Sequence, residues 1–145
     1  DTIIWNGPQH LLVDPLNDNQ LGTSSIPGNG SYIAYHKNKL YISEYLPSEG
    51  KTVIWFSKPY SYHLFNQSKD YIVILGKVNC ILSVDGQLVI GAENAIYYYN
   101  EVLSQVANYG IPKGHPFGSD EDNNTFIWSH KSFLLLFSRM VTDVL

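Results

Sequence analysis

Cys80-Ile81-Leu82-Ser83-Val84-Asp85-Gly86-Gln87-Leu88-Val89-Ile90-Gly91 is the stretch that decides the fold. Two apolar runs of strand length flank Asp85-Gly86, a dipeptide that accepts the positive φ angles of a two-residue type I′ turn. The stretch reads as a β-hairpin, and its pattern recurs on either side. With Asn38, Gly86 and Ser132 aligned as turn residues, the repeats stand 48 and 46 residues apart. Matched places before the turn hold Tyr32, Cys80 and Phe126, then Ile33, Ile81 and Ile127, then Ala34, Leu82 and Trp128. Matched places after it hold Leu40, Leu88 and Leu134, then Ile42, Ile90 and Leu136. Strand-built repeats of about 40–50 residues are the pattern of β-propeller blades, and a blade needs neighbours to bury both of its faces. The expected fold is all-β, with antiparallel repeats of 46–48 residues forming propeller-like blades.

Residues 1–145 read as one segment of about three blades, fewer than the roughly four to eight of a closed ring. The chain starts at Asp1 with neither an initiating Met nor a signal-peptide pattern. Both points lead to the expectation of a piece of a longer polypeptide that completes a larger propeller. The 11 Tyr, 6 Phe and 3 Trp suit pleated strands, where broad rings pack well. A net charge of −4 offers no broad basic face for duplex DNA. No apolar run approaches the roughly 18–20 residues of a membrane span. The run Phe133-Leu134-Leu135-Leu136-Phe137 has strand length and is bracketed by Lys131 and Arg139.

Outward from the central hairpin, strands are expected over residues 2–5, 11–13, 32–35, 39–43, 52–57, 71–75, 95–99, 126–129, 133–137 and 141–144. Polar loops rich in Gly, Pro and Asn are expected over 14–30 and 109–124, and a loop with aromatic residues over 60–70. Residues 101–107, with apolar Val102, Leu103 and Val106, fit either a short helix or an outer strand.

The stretches Lys39-Leu40-Tyr41-Ile42-Ser43 and Val53-Ile54-Trp55-Phe56-Ser57-Lys58-Pro59 are similar to the blade pattern of bacteriophage tail and neck propeller proteins. Val84-Asp85-Gly86-Gln87-Leu88-Val89-Ile90-Gly91, followed by Asn94-Ala95-Ile96-Tyr97, resembles the next blade of those proteins. Tyr109-Gly110-Ile111-Pro112-Lys113-Gly114 looks like their post-blade loop, so the resemblance covers roughly residues 27 to 145. Ser132 departs from it, since glycine or asparagine is usual at that turn. The resemblance implies a non-catalytic structural part of a phage virion, in the head–tail neck or the tail collar or hub. Such a part works by assembly with other virion proteins or copies of itself. It carries over no functional residues.

Chemistry-bearing motifs are sparse. His10, His36, His63, His115 and His130 lack the paired spacing of zinc ligands, and His36 and His130, two places before a turn, are expected at the surface. Cys80 sits at an apolar strand place and reads as a buried, inert thiol. Asp120-Glu121-Asp122 reads as a solvated acidic loop, with cation binding as its alternative. Asp14, Asn17, Asp18 and Asn19 lack the order of an EF-hand. Glu44, Glu49, Asp85 and Glu93 are available carboxylates whose separation sequence cannot set. Ser83-Val84-Asp85-Gly86 is similar to a sialidase Asp-box but continues Gln87-Leu88 instead of Thr-Trp. No nucleophile elbow, Walker A loop or dinucleotide glycine pattern is present. The expectation is no catalytic, metal or cofactor residue, no sequence-specific nucleic-acid binding and no membrane insertion.

Tyr60, Tyr62, His63 and Phe65 stand in one loop beside Asn66 and Gln67. Aromatic faces with amide hydrogen bonds suit a sugar, which has an apolar face and a polar rim. The same residues also suit packing between blades or against a neighbouring subunit. Trp55, Tyr97 and Tyr99 are further candidates for a partner interface. The expected function is therefore structural assembly in a virion, with a carbohydrate-binding propeller module as the alternative.

Overall fold

A computed structural model describes residues 11–14, 19–23, 26–114, 116–122, 124–131, 133–136 and 141–143. The strand expected over residues 2–5 lies outside them. The strands are β1 (Leu11–Asp14), β2 (Asn19–Thr23), β3 (Tyr32–His36), β4 (Lys39–Leu46), β5 (Lys51–Phe56), β6 (Tyr71–Leu75) and β7 (Val78–Val84). There follow β8 (Gln87–Ala92), β9 (Ile96–Asn100), β10 (Val102–Ala107), β11 (Phe117–Ser119), β12 (Thr125–Trp128), β13 (Phe133–Leu136) and β14 (Val141–Asp143). No helix is found among the described residues.

Strand order follows chain order: a β1–β2 ribbon, then four-stranded sheets β3-β4-β5-β6, β7-β8-β9-β10 and β11-β12-β13-β14. The chain divides into two compact units, Asp1–Val73 and Ile74–Leu145. The propeller expectation is overturned: the three antiparallel sheets are separate, and none closes into a barrel or propeller. The reason lies in what a repeat of apolar runs and turns encodes. It sets the register of each hairpin and so builds a meander, but it says nothing of how one meander is placed against the next.

The first two hairpins form where the repeats put them, whereas the third has another register: Phe126 pairs Leu135 and Trp128 pairs Phe133, so four residues and not two lie between its strands. Lys37 and Asn38 (φ 46° and 65°) join β3 to β4, and Asp85 and Gly86 (φ 46° and 81°) join β7 to β8. Both central residues of each turn are left-handed, which matches the right-handed twist of the flanking strands. His36 pairs Lys39 and Val84 pairs Gln87, so each ladder closes on its two-residue turn. Along the middle strands burial is continuous and not alternating: Tyr41-Ile42-Ser43 in β4, Thr52-Val53-Ile54 in β5, Leu88 to Ala92 in β8. Continuous apolar runs of strand length have both faces covered.

In the second unit, Cys80, Leu82 and Val84 of β7, Val89 of β8, and Ile96 and Tyr98 of β9 form one core with Ile111, Ile127 and Leu134. The segment after β10 ties the two sheets of this unit together. Ile111 N–H donates to the Ala92 carbonyl at 2.8 Å, and His130 N–H donates to the Gly110 carbonyl at 2.9 Å. The buried Asn79 side chain donates through Nδ2 to the Ile111 carbonyl at 2.7 Å. A Cβ on Gly110 would run into the Glu93 carbonyl, and one on Gly91 would stand 2.6 Å from Ile111 Cγ1. Glycine at both places is what lets the backbones approach.

Local differences from the sequence reading have local causes. Within 101–107, Val102–Ala107 form an outer strand, because β10 continues the β9 ladder from Asn100↔Val102 onward. Strands β2 and β11 lie inside expected loops. β11 has one large apolar residue in three and gains its strand character from pairing Phe117, Gly118 and Ser119 with Ile127, Phe126 and Thr125. His36 is buried, not exposed, while His130 is exposed. His36 lies on the face of β3 shared with Ala34, which pairs Tyr41, and its ring is 6.1 Å from the Tyr41 ring.

Gly110→Ala is expected to lower the unfolding free energy by about 3 kcal/mol, as overpacking against rigid backbone does; urea denaturation measures it. Burial, then the Lys37 charge, pushes the His36 pKa below its ordinary value of 6.5. The unfolded chain therefore takes up a proton near that value while the folded chain does not, so stability falls as pH drops below it. Thermal melts from pH 7.5 to 5.5 are expected to show this loss, and His36→Asn to reduce it.

Candidate functional site

The loop between β5 and β6 is held by hydrogen bonds within itself and to the end of β5. Lys58 N–H donates to the Leu64 carbonyl at 2.9 Å, and Lys58 Nζ meets Asp70 Oδ2 at 2.6 Å. Trp55 Nε1 donates to the Gln67 carbonyl at 3.0 Å. Asn66 is buried, and its Oδ1 accepts from Ser68 Oγ at 2.8 Å. That carboxamide belongs to the loop's own turn, despite its place in an Asn-x-Ser triplet.

The four residues Tyr60, Tyr62, His63 and Phe65 are split by this architecture. Phe65 is fully buried, Tyr62 and His63 are half-buried, and Tyr60 is 73% exposed. Tyr60 has φ 60°, an unusual conformation for a bulky residue, and its N–H donates to the Asn38 carbonyl at 2.9 Å. Tyr35 joins the group: its ring meets Tyr62 edge-on at 5.7 Å, and its hydroxyl donates to Asn38 Oδ1 at 3.0 Å. A hydrogen bond with the Tyr35 phenol, then desolvation, raises the Tyr62 pKa. The surface cluster is thus Tyr35, Tyr60 and Tyr62. The alternation of β3, which turns Ile33 and Tyr35 outward, was the signal for Tyr35.

Two strand surfaces expose more apolar area. In β6, Ile72 and Ile74 are buried while Tyr71, Val73 and Leu75 face outward, Leu75 at 78% exposure. A shallow hollow of about 290 Å³ lies beside them, lined by Val53, Trp55, Tyr71 and Val73, with the Lys51–Glu49 ion pair (3.1 Å) at its rim. In β10, Val102, Leu103, Ser104 and Gln105 are all exposed, Val102 at 70%. Among the described residues β10 is the edge of its sheet. Trp55, Tyr97 and Tyr99 are all half-buried.

The reactive groups are placed away from these surfaces. Cys80 is buried, and desolvation pushes its thiol up to about 12 against a hydrogen bond from Gly91. Asp120 is exposed, and hydrogen bonds from the Asn124 side chain and backbone hold its pKa below the usual carboxylate value. Asp120 Oδ1 accepts from the N–H groups of Asp122 and Asn124, each at 2.9 Å, and Oδ2 from Asn124 Nδ2 at 2.9 Å. Among the described residues no three His, Cys, Asp or Glu side chains converge as metal ligands would. No helix among them is long and apolar enough to cross a membrane.

The chain matches no family model and no curated protein. The resemblance of its strand segments to phage tail and neck propellers thus has no matching relative behind it, and the open sheets remove its propeller part.

A thiolate, not a thiol, attacks disulfide reagents. Native Cys80 is therefore expected to stay unreacted with an aromatic disulfide reagent at pH 8 and to react stoichiometrically once the chain is unfolded in guanidinium. Absorbance of the released thiolate reports both.

Proposed function

We propose that this chain is an assembly module that joins protein chains through the open edge of β10, with a second copy of itself as partner. One observation carries the reading: Val102 to Gln105 are four successive exposed residues on an edge strand. Natural sheet edges are commonly blunted by charge, proline or a bulge, because unpaired N–H and C=O groups invite another strand. Here no Lys, Arg, Asp, Glu or Pro stands between Val102 and Ala107. The bulge between Gln105 and Ala107 lies past the exposed stretch. Two copies of a neutral strand oppose no like charges in any antiparallel register, so the edge is compatible with itself. Main-chain hydrogen bonds would supply affinity, and Val102 and Leu103 would supply apolar contact.

Sedimentation velocity over a concentration series tests this. The wild-type chain is expected to gain mass with concentration, and Leu103→Lys to weaken the association about tenfold or more, since like charges across a strand pair repel. Circular dichroism should be unchanged, because Leu103 is exposed. A wild-type chain that stays monomeric, or a variant that associates equally well, removes the reading.

A further inference from the structure

The second unit carries a groove of about 550 Å³ on the face of β11 and β12, bordered by the start of the turn that joins them and by residues near Pro112. Antiparallel pairing sets Gly118 opposite Phe126. Side chains two apart in a strand share a face, so Phe126 and Trp128 stand in one row, with Gly118 beside them. Gly118 has no side chain to fill that face, and a Cβ built there would meet nothing within 4 Å. Trp128 is 51% exposed. Its backbone is fixed by an N–H donation to the Pro116 carbonyl at 2.6 Å. Pro112, Pro116 and Phe117 complete the apolar lining.

The polar rim is what distinguishes possible occupants. Lys113 and Asp120 both line the groove. The Asp120 carboxylate is held by the three hydrogen bonds already described, from Asp122 N–H, Asn124 N–H and Asn124 Nδ2. Asp120 is exposed, so its carboxylate is accessible to a ligand donor as well. Its orientation is set in advance, so binding loses little side-chain freedom there. A proline-rich peptide would suit the aromatic row but has few donors to give, and covering a carboxylate without a donor is costly. A sugar ring meets both demands. Its C–H face packs on an aromatic ring, and its hydroxyls donate to a carboxylate and accept from an ammonium group.

We propose that this groove is a saccharide-binding site, with the sugar's apolar face on Phe126 and Trp128 and its hydroxyls on Asp120 and Lys113. The site is independent of the β10 edge, so one can fail while the other stands. It also differs from the Tyr35, Tyr60 and Tyr62 cluster, which belongs to the first unit.

The test is tryptophan fluorescence and calorimetry on the full chain, titrated with maltotetraose, cellotetraose, chitotetraose and a decaproline peptide. At least one oligosaccharide is expected to bind saturably. Gly118→Val fills the groove where the structure leaves open space, and should weaken that binding about tenfold or more with an unchanged melting curve. Trp128→Ala should do the same, and Tyr62→Ala should leave binding intact. Three results overturn the proposal: no oligosaccharide binding, binding indifferent to both Gly118→Val and Trp128→Ala, or saturable binding of decaproline alone.

Discussion

The second unit depends on the close passage of Gly110-Ile111 past the end of β8. Three hydrogen bonds converge on these two residues, from Ile111 to Ala92, from His130 to Gly110 and from Asn79 to Ile111. They satisfy buried backbone groups that would otherwise cost free energy inside the unit. At the same place the Ile111 side chain enters the core beside Gly91 and Cys80. A single dipeptide therefore joins β7–β10 to β11–β14 by polar and apolar contact together. The geometry tolerates no side chain at Gly110. The groove is a consequence of this arrangement, because Pro112 and Lys113 follow the dipeptide directly and are carried to the face of β11 and β12.

The open sheets give the molecule its second character. Each four-stranded meander ends in two edge strands, and the protein treats them unequally. β6 buries Ile72 and Ile74 and turns Tyr71, Val73 and Leu75 outward. β10 exposes its first four residues on both faces. With separate sheets, the proposed assembly rests on a strand edge and not on a disc.

How far the sequence could be read depended on whether a feature was set by near neighbours. The turns at Asn38 and Gly86 were legible because left-handed residues at two adjacent places are a local demand, and Asn and Gly meet it cheaply. Cys80 was legible as a buried thiol because its apolar neighbours in β7 left it no other place. His36 was misread, since its place two residues before a turn suggested solvent, whereas the partner strand brings Tyr41 over the same face. The aromatic loop was half legible. Four residues close in sequence were grouped, yet the loop buries Phe65 and leaves Tyr60 outside. The groove was invisible, because Pro112, Gly118 and Trp128 lie apart along the chain, and it takes both the β11–β12 pairing and the passage of Gly110-Ile111 to make them neighbours.

By itself the sequence determined an all-β chain, the turns at Lys37-Asn38 and Asp85-Gly86 and the apolar runs that become central strands. Those features follow from φ preferences and from the two-residue period of a strand, which act over a few residues. The tertiary structure decided that the meanders stay separate, that a weakly apolar segment becomes β11, and which aromatic residues reach the surface. Those outcomes depend on which backbones approach closely and which ladders find a partner strand, and such contacts link residues that no local pattern connects.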